Sequence, residues 1–204
     1  MEWKEIDGNK VHSTAIVNWD QISIGTGNKI GPYVCIGTDA QHTREESSGS
    51  IIIGDNNIFR EYTTVHLPTR YTRLTSIGDG CYFMALSHIA HDCIVEDEVI
   101  FSNNVTLGGH CHIMKGSQFG FNAIVHQFQV IGSYCMLGMA TIIPAKARIE
   151  PGNVYAGNPA KLLRINSIGL ERRNVSFPQL KEEKIRFEEL LIEMNRHYTK
   201  NYEI

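Results

Sequence analysis

Nine histidines occur in the 204-residue chain, and six fall between positions 66 and 126: His66, His88, His91, His110, His112 and His126. In the run His88-Ile89-Ala90-His91-Asp92-Cys93 an imidazole is followed directly by a carboxylate. That pairing suits general-base chemistry. A neutral imidazole with an ordinary pKa near ~6.5 can take a proton from an attacking group. The neighbouring carboxylate orients the ring and stabilises its protonated form. Moving an acyl group from a thioester to a hydroxyl needs such a base, with His91 in that role and Asp92 as its partner. The tetrahedral intermediate also needs an N–H donor, and Gly109 lets a backbone amide approach closely. Nothing in the sequence supplies an activated serine or cysteine nucleophile, so the acceptor is expected to attack the thioester directly.

These residues must be positioned by a regular scaffold, and the period of the sequence says which. Stepping by six from Ile77 gives Phe83, Ile89, Val95, Phe101, Leu107, Ile113, Phe119, Val125, Ile131, Leu137, Ile143, Ile149 and Tyr155, all large and apolar. Four residues after each anchor from Ile77 to Ile143 the chain carries a small residue, such as Cys81, Ser87, Cys93, Val99 or Ala123, with Gln129 the one large exception. The position just after the anchor is often glycine (78, 108, 120, 132, 138), which suits unusual backbone dihedrals there. A six-residue period is the signature of a parallel β-helix, in which three hexads close an 18-residue triangular coil. An amphipathic α-helix needs a 3.6-residue period and fails. On this coil Asp92 lies directly below His110.

The same register accounts for the cysteines. Four of the five (81, 93, 111, 135) fill the small-residue slot, and none forms a CxxC pair. They are expected to pack. Two polar stretches, 38–50 and 67–76, break the period and are expected as loops extruded from the stack, where function tends to sit. The β-helix is expected over 1–158. Residues 159–204 form a C-terminal extension with one short helix near 180–198, its apolar stripe at 180, 187, 190, 191 and 194 packing on the base of the β-helix or on a neighbour. A net charge of −3 gives no basic field for nucleic acid. Without a signal segment or a run of about 20 apolar residues, a cytoplasmic protein with no stable membrane insertion is expected.

The segment from Ile53 to Gln127, with RExxTxH (60–66), HIAHDC (88–93), NNxTLxGH (103–110) and VHQF (125–128), resembles the UDP-N-acetylglucosamine O-acyltransferases that begin lipid A synthesis. The likeness continues through AGNPAKLLRINSIGLERR (156–173) and includes VHSTAI (11–16). The resemblance implies an all-β, left-handed parallel β-helix, a homotrimer with active sites between subunits, an acyl carrier protein thioester as donor and a nucleotide sugar as acceptor, with no cofactor. It implies His91 as base, Asp92 as partner and Gly109 as oxyanion donor. His88 and Gln127 then contact the sugar, His66, His110 and His126 line the cleft, and Asn166 and Arg172 hold the nucleotide.

The sequence departs from that family in three ways. It is trimmed at both ends. The family's Asp-x-Lys pair becomes His42 and Arg44, which puts the sugar in question. Met139 stands where the long-chain member has glycine, and a bulky side chain in the groove floor implies a shortened acyl pocket. Two other enzyme readings are weighed against this one. One is N-acylation of a nucleotide-activated amino sugar from an acyl-CoA or acyl carrier protein thioester. The other is a metal site through His88-x-x-His91 and His110-x-His112. Zinc β-helices of the gamma carbonic anhydrase kind use three histidines with a late pair, and here the partner position of His126 is Ile131, so no metal is expected. A non-enzymatic scaffold would leave every one of these histidines dispensable.

Overall fold

The computed structural model describes residues 2–202, with side chains to Thr199. It is a left-handed parallel β-helix of triangular section. Two-residue strands ending on the anchors stack into three faces. The first face carries Phe83, Phe101, Phe119 and Leu137, the second Ile89, Leu107, Val125 and Ile143, and the third Ile77, Val95, Ile113 and Ile131. Every one of these side chains points inward and is at most 2% exposed. On the first face Phe59, Phe83, Phe101 and Phe119 form a continuous column with ring centroids 5.1, 5.3 and 4.7 Å apart. Burying each ring contributes roughly 1.5–3 kcal/mol, so the column is a main source of stability.

The corners follow one rule. Every sixth residue from Gly80 to Gly152 has positive φ, including Leu86, Asp92, Glu98, Asn104, His110, Phe128 and Lys146. The unusual dihedral therefore lies three residues after the anchor, and not at the glycine that follows it. That glycine is required by crowding. A methyl at Gly78 would come 2.2 Å from Asp97 Oδ1, whose carboxylate accepts the Asp79 N–H at 2.8 Å. An asparagine ladder caps the N-terminal coils, with the Asn28 and Asn57 amides donating to Asn9 and Asn28 side chains. The small-residue slot is fully packed, and the Cys93 and Cys111 thiols donate to the Gly108 and His126 carbonyls of the following coil. Burial pushes the thiols of Cys81 and Cys135 up to about 12, which suits packing and not nucleophilic attack.

Several expectations need correction. The first loop runs only from residue 39 to 49 and the second only from 67 to 73, because Ser50–Ile53 and Leu74–Ile77 pair as four-residue strands of the third face. The hexads make Ser50, Thr75 and Ser76 regular despite their polarity. At the N-terminus Trp3–Ile6 pairs antiparallel with Asn9–His12. The C-terminal extension holds more than one short helix. Lys161–Ile165 first folds back antiparallel on Asn153–Ala156, and two helices follow, α1 (Ser167–Arg172) and the 26-residue α2 (Phe177–Tyr202). Pro178 sits inside the first turn of α2, where its missing N–H needs no partner.

Helix α2 lies along the third face and not on the base. Phe187, 1% exposed, joins Leu190, Leu191 and Met194 against Met114 and Val130. Glu96 anchors the helix by accepting from His112 at 2.6 Å and from Arg186 at 2.9 Å. Burial opposes the Glu96 charge, but the His112 and Arg186 bonds outweigh it and bring its pKa to about 2. Lys115 and Ser133 hold Glu183 at 2.6 and 2.5 Å. Phe187→Ala is expected to weaken this docking by about 3–5 kcal/mol. Because a repeat stack is stabilised by neighbouring coils, hydrogen exchange should accelerate in α2 while the coil strands keep their protection. Equal acceleration in the coils would refute that separation.

Candidate active site

His91 and Asp92 occupy the corner between the second face, which ends at Ile89, and the third, which begins at Ile94. Asp92 takes the αL position of its turn, φ 60°, and its own N–H donates to Thr75 Oγ1 at 3.0 Å. The side chain is wholly buried and accepts five hydrogen bonds. His91 Nδ1 donates at 2.7 Å, the Thr69 N–H and hydroxyl at 3.1 and 2.8 Å, and the Thr72 N–H at 3.2 Å, with the Thr72 hydroxyl as the fifth donor. Burial alone would raise the Asp92 pKa. The donors, led by His91 and Thr72, together with the nearby His110, outweigh it and hold the pKa at about 2. Asp92 is thus an ionised acceptor that fixes the His91 ring by its Nδ1–H and leaves Nε2 as the basic atom.

The ring is pressed from two sides. A methyl on Gly109, one coil along, would lie 2.5 Å from His91 Cε1 and 2.7 Å from Nε2. No side chain fits there. The Gly109 N–H donates to no acceptor among the described residues, while its carbonyl accepts from Phe128 at 3.0 Å. His42 meets His91 edge to face, with centroids 5.3 Å apart, and its Nδ1 accepts the Arg44 N–H at 3.1 Å. His110 stacks flat on Phe128 at 4.4 Å and stands edge-on to His91 at 5.1 Å. Burial, opposed by Asp92, lowers the His110 pKa to about 3, so this ring is neutral.

On the second face His66 and His88 pack edge to face at 4.7 Å, and His88 Nδ1 bonds the Thr64 hydroxyl at 2.7 Å. Burial and then the neighbouring His88 bring His66 to about 4, and burial also lowers His88. His126 and Gln127 follow one coil after Gly108 and Gly109 and are exposed. They line a cavity of about 370 Å³ with Phe128, Leu191, Met194 and Tyr198. A second cavity, about 220 Å³, opens on Thr72, Asp92, His110 and His197.

The other candidate residues lie elsewhere on the single chain. Arg44 is exposed, and its backbone N–H, not its guanidinium, makes the contact with His42. Met139, 70% exposed, sits at the corner between the first and second faces. Asn166 caps α1 by accepting the Gly169 N–H at 3.2 Å and donates to the Tyr134 carbonyl at 2.9 Å, at the corner between the third and first faces. With Arg172 it lines a cavity of about 200 Å³ beside Arg164 and Arg173. His112 belongs to the Glu96 anchor. Thr69, Thr72, Tyr71, whose ring stands edge-on to His110 at 6.1 Å and tilted to His42 at 6.2 Å, and His197 went unrecognised in the sequence. The polar break at 67–76 marked the first three, whereas His197 carried no signal beyond its residue type.

His91, Asp92 and His110 place ligand atoms within 4.8 Å of one another, a spacing that a metal ion could bridge. The five donors on Asp92 already occupy its lone pairs, which fits an orienting carboxylate better than a ligand. No helix among the described residues is long and apolar enough to cross a membrane.

Comparison with known proteins bears on the fold and on the family it resembles. The family model described as bacterial transferase hexapeptide (six repeats) matches residues 74–109. An acyl-[acyl-carrier-protein]–UDP-N-acetylglucosamine O-acyltransferase of Gloeothece citriformis is 38% identical over 166 residues, covering 80% of this chain and 59% of its own. One of Burkholderia mallei is 39% identical over 150 residues, covering 72% and 56%. The chain thus spans somewhat more than half the length of these relatives. The solved UDP-N-acetylglucosamine acyltransferase of Bacteroides fragilis superposes with a TM-score of 0.79 at 26% identity, covering 93% of this chain and 78% of that one. That of Moraxella catarrhalis gives 0.67 at 27%, covering 94% and 92%. In sequence and in fold, the chain is a hexapeptide-repeat β-helix protein related to the UDP-N-acetylglucosamine O-acyltransferases.

Proposed function

We propose that the protein transfers an acyl group from an acyl carrier protein thioester to the 3-hydroxyl of UDP-N-acetylglucosamine or a related nucleotide sugar. The observation that carries the reading is the buried His91–Asp92 pair, with the His91 ring packed against Gly109. In this mechanism His91 Nε2 takes the hydroxyl proton as the oxygen attacks the thioester carbonyl carbon. The Gly109 N–H meets the oxyanion. Collapse breaks the C–S bond, and the imidazolium returns its proton to the departing thiolate. His88, His66, His126 and Gln127 bound the acceptor, and Asn166 and Arg172 hold its nucleotide. An arginine fork suits phosphate.

The three groups of expected residues sit on three different edges of the prism. One chain cannot bring Met139 or Arg172 to its own His91, which favours a homotrimer with each site completed across a boundary. The test is a mass-spectrometric transfer assay with UDP-N-acetylglucosamine and related amino sugars. Donors are carrier-protein and coenzyme A thioesters of graded length. Product from the carrier-protein thioester and UDP-N-acetylglucosamine is expected, and no product from any pair would overturn the reading. Met139→Gly should shift the preferred donor to longer chains, by about 1–2 kcal/mol in relative kcat/KM, the size of one or two buried methylenes. An unchanged chain-length ranking would remove Met139 from the pocket.

His42 favours a second reading. Its ring stands against His91 where the resembling family has an aspartate, and burial lowers its pKa, so it presents an uncharged imidazole to the acceptor. An amino-sugar acceptor, acylated on nitrogen, fits that change. The same assay separates the two by the position of the acyl group in the product.

A further inference from the structure

We infer that His197, on the last turns of α2, is a positioning residue of the His91 site, acting by fixing the tautomer of His110. The inference rests on the reading of His91 as base. Three contacts connect them: His197 Nε2 lies 3.3 Å from His110 Nδ1, His110 Nε2 lies 3.7 Å from Asp92 Oδ2, and Asp92 Oδ2 accepts from His91 Nδ1 at 2.7 Å. His110 is 2% exposed, lies flat against Phe128, and cannot turn away without losing that stack.

A neutral imidazole carries one N–H, and its place decides what the ring shows Asp92. With the hydrogen on Nε2, the ring turns a positive edge to the carboxylate. At 3.7 Å this is an electrostatic contact and not a hydrogen bond. With the hydrogen on Nδ1, a lone pair faces the carboxylate at the same distance and repels it. A donor at Nδ1 selects the first arrangement, and His197 Nε2–H is placed to be that donor. The order of donation is then His197 to His110, His110 toward Asp92, and His91 Nδ1–H to Asp92. Each step leaves the next group oriented, and His91 Nε2 is left to accept the substrate proton. The groups that act on His110 include the Asp92 carboxylate, the acceptor that the tautomer must satisfy, together with His91, His197 and His42, and the Tyr71 ring stands edge-on at 6.1 Å.

The docking of α2 explains how a helix so far along the chain reaches this corner. Leu180 packs against Gly152 at one edge of the third face, Phe187 and Met194 fill its middle, and His197 and Tyr198 arrive over His110 and Phe128 at the other edge. Met194 lines both cavities beside the site.

Long-range proton–nitrogen correlation of the histidine rings reads the tautomer directly and needs no substrate. In the wild type the His110 signals, assigned by their loss in His110→Gln, should report hydrogen on Nε2. In His197→Phe, which keeps a ring on Phe128 but has no donor, they should move toward the Nδ1–H form. In the transfer assay kcat should fall about 3- to 10-fold, the worth of one neutral hydrogen bond, with KM unchanged. His197→Gln, whose amide can donate, should recover kcat to within about twofold. A His110 tautomer that is the same in wild type and His197→Phe would overturn the proposal. So would equal loss in His197→Gln and His197→Phe with α2 still protected from exchange. If no transfer is found with any substrate, the ring spectra still decide the His197 question separately.

Discussion

His91→Ala is expected to lower kcat/KM by about 10²- to 10⁴-fold, the range that a positioned general base supplies. The loss should fall on kcat, because the imidazole acts on the proton as the bond forms and leaves ground-state contacts to its neighbours. Asp92 keeps four donors from Thr69 and Thr72 in the variant, so the carboxylate is not stranded and the coils should stay folded. Circular dichroism and the exchange protection of the coil strands check that. Adding imidazole to His91→Ala should restore part of the rate, because the cavity left beside Gly109 has the shape of the missing ring. A variant within tenfold of wild type would end the general-base assignment and favour a scaffold in which these histidines only pack.

Gly109→Ala is expected to cost at least about 10²-fold in kcat while sparing the fold, since a misplacement of about 1 Å at a reacting group carries that penalty. The three atoms nearest the added methyl all belong to the His91 ring, at 2.5 to 3.0 Å. The ring must give way, and with it the alignment of Nε2 and of the Gly109 N–H. Gly108→Ala is the informative control. There the methyl meets the Gln127 backbone nitrogen at 2.6 Å, so the coils themselves must separate. The neighbouring glycines should therefore divide cleanly, with Gly108→Ala losing thermal stability and Gly109→Ala losing turnover. If both variants lose the same property, the placement of His91 against Gly109 is not what limits the rate.

Much of this arrangement could be read from the residues because the fold is periodic. A six-residue count placed Asp92 under His110, and put Ile89, Leu107 and Val125 inside one face. It also gave the cysteines a packing role that their carbonyl hydrogen bonds explain. The reading failed where periodicity stops. Glycine after the anchor suggested strained dihedrals, yet Leu86, Asp92, His110 and Phe128 adopt positive φ and the glycines make room for a carboxylate or backbone in the next coil. A regular count cannot say which corner residue bears the left-handed turn, since several side chains tolerate it once both neighbours are pinned in strands. Nor could it foresee Thr69 and Thr72, which bind Asp92 from an aperiodic loop, or His197, which depends on how a distant amphipathic helix is docked. Met139 and Arg172 matched a familiar pattern, but their edges of the prism are set by the register and are not those of His91.

The two loops that leave the stack also hold each other. Ser47 pairs with Thr69, the Ser48 N–H donates to the Pro68 carbonyl at 2.8 Å, and Arg70 meets Glu45 at 2.7 Å. Between them they bring His42 and two threonines onto a dyad whose own backbone belongs to the coils. The consequence concerns how such a protein can change over generations. Loop residues can be exchanged, lengthened or recharged without altering the count of six that keeps the anchors buried, so variation in what is recognised is uncoupled from variation in what holds the chain together. The reverse does not hold. An insertion of one residue in any hexad rotates every later side chain out of its face, so the coil accepts novelty only in whole units while the paired arms accept it residue by residue.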